Sequence, residues 1–241
     1  MATTTAPHHG GHMTRRSQLV LIAVTAAALI VAAMMAALLV HGGGSAGSGV
    51  QGSGIAATQT RAVARFSSLD LAGSNEVTVV VGARQSVVVH ADSNLISHVT
   101  TQVVAGTLVV ADTGSFTTRT PMSVEVSVPS LTALNLSGSG QLSVTGIKAA
   151  RLTVTISGSG MLSAAGTATR LDVSLSGDGL AQLSQLTASE VRAVVSGSGL
   201  IQVTATTSLD AEVPGTGAIV YGGNPAQVTT SVTGTGTVTR G

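Results

Sequence analysis

Apolar and polar residues alternate along the C-terminal half of the chain, and the alternation recurs around six Gly-Xaa-Gly triplets. Apolar residues stand two and four positions before almost every triplet and two and four positions after it, with polar residues between them. The first glycines of the triplets are 20, 19, 20, 18 and 19 residues apart, at Gly138, Gly158, Gly177, Gly197, Gly215 and Gly234. Period-two alternation at a nearly fixed step predicts stacked coils with two strands per repeat, each strand having one inward face.

The triplets predict the corners between the two strands of each repeat. The residue between the two glycines is Ser, Asp or Thr in every copy. Glycine allows a sharp turn and lets the backbones of neighbouring coils approach closely. The sequence therefore predicts an all-β fold, a β-helix or β-solenoid with coils of about 19 residues, an aliphatic core and a hydroxyl-rich outer surface.

Residues 66–128 show the same alternation in shorter runs. Valine or leucine recurs at every second position in Val77–Val81, Val87–Val89, Leu108–Val110 and Val124–Val128. Gly, Asp, Asn and Pro separate these runs and favour turns, so the runs predict short β-strands joined by tight turns. We expect the solenoid domain to extend over residues 65–241.

A long apolar run near the N-terminus predicts a membrane segment. Leu19–Val40 contains 22 residues without a charge. A helix of this length spans about 33 Å, which matches a hydrocarbon core of about 30 Å. Arg15 and Arg16 precede the run and no Lys or Arg follows it before Arg61, so the positive-inside rule places residues 1–18 in the cytoplasm as a tail.

Residues 19–40 are therefore predicted to be a transmembrane signal anchor, which makes the membrane a partner of the chain. The alternative is a signal peptide cut within His41–Gly49, which would release a secreted protein. Translation from Met13 rather than Met1 would shorten the tail and leave either reading intact. Residues 41–64 begin with a Gly/Ser-rich stretch and are predicted to be a linker.

The amino-acid composition counts against several classes of function. The net charge is +1 and only 9% of the residues are charged, so nothing indicates a nucleic-acid partner. The aromatic residues are Phe66, Phe116 and Tyr221, and their small number counts against sugar-binding platforms and base-stacking surfaces. The chain has no cysteine, which excludes disulfides, thiolate catalysis and cysteine-ligated zinc.

Two groups of residues bear on catalysis or metal binding. Asp172 and Asp210 occupy one predicted outer column, about 10 Å apart, as an inverting glycosidase pair would. Because Arg192 lies between them, we interpret the column as a charge-neutralised surface.

His90, Asp92 and His98 could together supply metal ligands. Their spacing follows no ligand pattern, and we interpret the histidines as surface residues. We therefore predict no catalytic, cofactor-binding or metal-binding residue, and no enzyme.

The chain resembles the bacterial family described as putative auto-transporter adhesin, head GIN domain. The resemblance rests on several segments, namely Phe66–Leu71, Val87–Leu95, Gly106–Val110, Val128–Leu131 and corners such as Leu136–Gly140. It covers about residues 66–239. It implies an all-β, β-helix-like domain in the bacterial envelope, and it brings no catalytic residues with it.

Together these observations predict a non-catalytic, membrane-tethered envelope protein that acts as an adhesin or surface scaffold. The domain would lie on the periplasmic or extracellular side of the cytoplasmic membrane and bind an envelope polymer or protein. One alternative is a scaffold that self-assembles into homo-oligomers through the solenoid ends. Another alternative is a polysaccharide-active β-helix enzyme.

Overall fold

A computed structural model describes residues 49–241, which form one compact unit made of β-strands. The predicted tail 1–18, the anchor 19–40 and residues 41–48 of the predicted linker lie outside the described residues. Within 49–241 there is no helix with the length and hydropathy that a membrane span needs. The prediction of an all-β solenoid is confirmed for this part of the chain.

The strands of the N-terminal half are short. In chain order they are β1 (Val50–Gln51), β2 (Ala56–Thr60), β3 (Ser68–Leu71), β4 (Glu76–Val81), β5 (Ser86–Asp92), β6 (Val99–Val104), β7 (Thr107–Asp112), β8 (Phe116–Thr117) and β9 (Ser123–Val128).

The strands of the repeat region are longer. They are β10 (Ala133–Leu136), β11 (Gln141–Ile156), β12 (Met161–Leu175), β13 (Leu180–Val195), β14 (Leu200–Val213), β15 (Ala218–Gly223), β16 (Gln227–Val232) and β17 (Thr237–Arg240).

Each of β11 to β14 forms most of one coil and pairs in parallel with the next. The two strands predicted per repeat are therefore joined into one bent strand in these coils. The inward residues of β11 are at 142 and 144, then at 147, then at 152, 154 and 156, so the alternation skips at two bends. Register shifts at the bends, as between Val144 and Ile147 and between Ala188 and Glu190, absorb the unequal steps between triplets.

The Gly-Xaa-Gly triplets stack in a row at the corners between coils. A Cβ added at Gly158 would collide with the carbonyl oxygen of Gly138, and one at Gly177 would collide with that of Gly158. The second glycine of each triplet has the same relation to its predecessor, as Gly160 has to Gly140. The corners need glycine because the preceding coil occupies the space of a side chain.

The predicted aliphatic columns form the core. Leu136, Ile156, Leu175, Val195 and Val213 lie in register on successive strands and are all at most 1% exposed. In the coil that contains β16 and β17 the columns are uncovered on one side. Val232 is therefore 44% exposed and Val228 43% exposed.

The N-terminal half continues the stack and then closes it. β3 and β4 pair in parallel with β10 and β11, and β7 and β9 pair in parallel with β3 and β4 on the far side. Beyond them β6 pairs with β7, β5 with β9 and β2 with β5, all antiparallel. This reversal caps the core at its N-terminal end.

Part of the predicted linker belongs to the folded unit. β1 pairs with β8, and β2 pairs with β5 over Ala56–Thr60. The assignment of residues 50–60 to a linker is therefore corrected. The polar residues of these strands fit edge positions, where both faces meet water and backbone hydrogen bonds supply most of the attachment.

Replacement of Gly158 by Ala is predicted to lower the free energy of unfolding by at least about 2 kcal/mol, because the new methyl group forces two backbones apart. Ser159→Ala is the matched control, since Ser159 is exposed in the same corner. Its effect should stay within about 0.5 kcal/mol. Urea unfolding followed by circular dichroism measures both, and equal stabilities would contradict the stacked-corner geometry.

Candidate functional site

The charged residues of the repeats form ion pairs on one outer side of the solenoid. Asp172 and Asp210 both pair in register with Arg192, as the sequence predicts. Arg192 contacts Asp210 at 3.5 Å and Glu212 at 2.8 Å, and Arg151 contacts Asp172 at 3.5 Å. The side chains are between a third and a little over half exposed, so each pair contributes little to stability. The column therefore alternates in charge, with Arg192 between Asp172 and Asp210.

His90, Asp92 and His98, which the sequence offers only as possible metal ligands, have separate contacts in the structure. The Nδ1 atom of His98 lies 2.7 Å from the carbonyl oxygen of Thr113, and its ring meets Phe116 edge to face at 5.6 Å. His90 lies against Thr58 and Glu125. No cluster of three metal-ligating side chains occurs among residues 49–241.

Asp92 instead joins two segments of the cap through hydrogen bonds. Its carboxylate is buried and accepts hydrogen bonds from the backbone N–H groups of Arg119 at 2.8 Å, Thr120 at 3.2 Å and Gly54 at 2.7 Å. The N–H of Arg119, followed by those of Thr120 and Gly54, holds the pKa of Asp92 below its usual value, although burial acts in the opposite direction. Sequence reasoning missed this role because the donors are backbone groups distant in the chain.

Asp70 is the second buried carboxylate. It lies on β3 beside the first Gly-Xaa-Gly corner and accepts a hydrogen bond from the Ser137 hydroxyl at 3.1 Å. Burial raises the pKa of Asp70, and the bond from Ser137 offsets only part of that rise. The two buried carboxylates of the N-terminal half are therefore shifted in opposite directions.

A seventh corner, in which the second glycine is replaced, precedes the six triplets. Gly73-Ser74-Asn75 connects β3 to β4, and Gly138 and Gly140 pack on the backbones of Gly73 and Asn75. Asn75 has room for a side chain because the next corner outward is expanded. There ten residues, 113–122, lie between β7 and β9, whereas only four, 72–75, lie between β3 and β4.

The expanded corner and Asn75 line an open groove of about 410 Å³. It is lined by Ser74, Asn75, Phe116, Thr117, Thr118 and Met122. None of these side chains is charged, and Phe116 is one of only two phenylalanines in the protein. The volume lies within the range of about 300–1,000 Å³ that is typical of small-molecule sites.

Asp112 orients the amide group at the groove. Its carboxylate accepts hydrogen bonds from the Ser74 N–H at 2.9 Å, the Ser74 hydroxyl at 3.1 Å and the Asn75 Nδ2. A carboxylate only accepts hydrogen bonds, so the amide nitrogen of Asn75 must face Asp112 and the oxygen must face away. Asn75 is 1% exposed, and its Oδ1 atom has no donor among the described residues.

A second groove, of about 430 Å³, follows the row of corners. It is lined by the middle residues Ser139, Ser159 and Asp178 and by the neighbouring outward residues Gln141, Met161 and Leu180. Its residues repeat from coil to coil, so it is a consequence of the stacking, whereas the Asn75 groove arises from a departure from the repeat.

The chain matches a known protein family. A family model described as "Putative auto-transporter adhesin, head GIN domain" matches residues 65–225, about two thirds of the chain. The resemblance drawn from the sequence is confirmed by this match. A comparison with curated proteins gives no match.

Solved structures share the fold. A putative adhesin from Bacteroides fragilis NCTC 9343 aligns with a TM-score of 0.68 at 22% identity, over 80% of this chain and 100% of that chain. A putative lipid binding protein and a putative adhesin from Parabacteroides distasonis ATCC 8503 each align with a TM-score of 0.54, at 21% and 24% identity. Each of these two alignments covers 80% of this chain and 100% of the other. At these identities the likeness shows the fold alone.

The two buried carboxylates are predicted to respond oppositely to replacement by asparagine at neutral pH. Asp70 has a raised pKa, so its ionisation opposes folding as the pH rises above its unfolded pKa of about 3.9. Asp70→Asn should therefore raise the melting temperature at about pH 7 and change it little at about pH 3.

Asp92 has a lowered pKa, so its stabilisation is present above the unfolded pKa and is lost as the pH falls through the folded value. Asp92→Asn should therefore lower the melting temperature at about pH 7, with a difference that shrinks in acid. Thermal unfolding across pH measures both variants. Shifts of the same sign at neutral pH would contradict the two environments.

Proposed function

Because the chain belongs to the putative auto-transporter adhesin, head GIN domain family, we propose that it is a non-catalytic, membrane-tethered adhesin or surface scaffold of the bacterial envelope. In this proposal residues 19–40 hold the chain in the cytoplasmic membrane. The solenoid then stands on the periplasmic or extracellular side and binds an envelope polymer or protein.

The observation that carries the proposal is the outer side of the coils that follows each corner. Its outward columns contain Gln, Ser, Thr and small or aliphatic residues and no charge from β11 to β15. One column begins Ser143, Ser163, Gln182, Gln202, and the Ser163 hydroxyl donates to the Ser143 hydroxyl at 3.2 Å. Amide and hydroxyl groups repeated at the strand spacing of about 4.8 Å suit a long neutral partner that has polar groups of its own.

The charged side of the solenoid supports the same interpretation. Its arginines are compensated by carboxylates on the neighbouring coils, as in the pairs of Arg170 with Glu190 and Arg192 with Glu212. This side therefore presents little uncompensated charge to a charged partner. Contact with a neutral polymer through hydrogen bonds and shape is therefore the mode that the surface favours.

The test is retention of residues 49–241, which form one compact unit with its own core, on peptidoglycan and envelope polysaccharide. We expect binding that changes little between about 0.1 and 0.5 M salt, because neutral surfaces are not screened. Arg192→Ala is the control on the charged side and should bind as the parent does. Failure of every envelope fraction to retain the domain would overturn the proposal.

A second candidate function is self-assembly through the coil that contains β16 and β17. All six residues of β16 are exposed, and Val228 and Val232 expose inward-type positions of the solenoid. A second copy that covers this coil would bury these side chains and pair the open strand edges.

The domain is accordingly expected to sediment as a dimer, and the double substitution Val228→Lys with Val232→Lys to sediment as a monomer. Val80→Lys is the matched control, because Val80 is 45% exposed on β4, far along the stack. Analytical ultracentrifugation distinguishes the cases, and a parent domain that stays monomeric at high concentration would exclude this function.

A further inference from the structure

The groove at Asn75 has features that the stacked repeat does not need. In the six Gly-Xaa-Gly corners the second glycine is covered by the preceding coil and has no space for a side chain. At the seventh corner an asparagine takes that position, and ten residues of the neighbouring corner fold over it. The expansion carries Phe116 and Met122 to the same groove.

The expanded corner is held in place from several directions. The N–H groups of Val50 and Gly52 donate to the carbonyl oxygens of Ser115 and Thr117 at 2.9 and 2.8 Å. The Asp92 carboxylate binds the N–H groups of Arg119 and Thr120, two residues further along the same loop. A loop fixed at both ends presents its side chains with little loss of entropy on binding.

The groove combines hydrogen-bonding and apolar groups without charge. Ser74, Thr117 and Thr118 supply hydroxyl groups, and Phe116 and Met122 supply apolar surface. Beside the groove, the buried Asn75 Oδ1 atom is an acceptor that lacks a donor within the described residues, and a ligand hydroxyl would reach it by displacing lining side chains. An acceptor of this kind gains more from a ligand's hydroxyl group than one that already binds water.

We propose that the groove formed by Asn75, Phe116 and Thr118 binds a neutral sugar unit of an envelope polysaccharide. A pyranose ring has hydroxyl groups on its edge, which match the Asn75 oxygen and the threonine hydroxyls, and an apolar C–H face, which matches Phe116. The lack of charged lining residues disfavours phosphate, carboxylate and ammonium groups, whose burial without a partner is costly. The inference rests on the proposed function, since it names the partner that the domain would hold.

Because the chain has few aromatic residues, NMR can follow sugar binding at the Phe116 ring directly. The protein has two phenylalanines and one tyrosine, so the ring signals of Phe116 can be assigned by NMR with Phe116→Leu. The probes are methyl glycosides of glucose, galactose, mannose and N-acetylglucosamine, added to the full chain in detergent. We expect one or more to shift the Phe116 ring and the Asn75 side-chain amide saturably below about 50 mM, as a millimolar dissociation constant requires. Phe66, which is 7% exposed in the core, should not shift.

Variants of the groove test the sugar site independently of the proposed adhesin function. Asn75→Ala and Thr118→Val should weaken sugar binding at least about threefold, since each removes one hydrogen bond. Valine has nearly the same shape as threonine, and Thr118→Val leaves the hydrogen bonds from Ser74 and Asn75 to Asp112 in place. This variant therefore remains informative if Asn75→Ala fails to fold. Arg192→Ala, on the charged side of the solenoid, is the control and should bind as the parent does.

The outcomes are distinct. Loss of polysaccharide retention in the groove variants, with retention in Arg192→Ala, would support the site. Parent-like retention in Asn75→Ala, Phe116→Leu and Thr118→Val would overturn the site and leave the adhesin function standing. A parent that binds neither the glycosides nor any envelope polysaccharide would overturn both.

Discussion

The close approach of backbones at the corners is the constraint on which the rest of the structure depends. Successive Gly-Xaa-Gly corners pack carbonyl oxygen against Cα, so that coils align in register and their inward side chains form continuous columns. Those columns contain leucine, isoleucine, valine and alanine and no aromatic residue from Leu134 to Ile219. A core built from aliphatic side chains stacked in register requires that the coil spacing stay constant, and glycine at the corners keeps it so.

The irregular features of the molecule lie where a corner lacks its second glycine. Asn75 replaces a corner glycine at the point where the next corner expands to residues 113–122. The antiparallel strands β2, β5 and β6 end the stack just beyond, and the buried Asp92 ties residues 54 and 119–120 to this cap. The regular coils therefore supply a rigid scaffold, and the irregular N-terminal end supplies the groove, beside which the buried Asn75 oxygen has no donor among residues 49–241. This division is common in folds whose binding residues lie on loops held by a rigid scaffold.

The sequence predicts the coils well because each glycine and aliphatic position is repeated at a short, constant step. It does not predict the seventh corner, although Gly73-Ser74-Asn75-Glu76-Val77 parallels Gly138-Ser139-Gly140-Gln141-Leu142. The two segments are neighbours in space but 65 residues apart, because the cap strands are inserted between them. The strands at 50–51 and 56–60 are missed for a related reason. Their Gly, Ser and Thr residues carry no period, and distant backbone partners on β8 and β5 determine their structure.

Distances along the row of corners test the stacking most directly. The chain has no cysteine, so pairs of spin labels at exposed middle positions are free of background. Labels at Ser139→Cys paired with Ser198→Cys, Thr216→Cys or Thr235→Cys are three, four and five coils apart. The account predicts separations that increase by about 4.8 Å for each coil, giving about 14, 19 and 24 Å. Separations that do not rise linearly with coil number would contradict it.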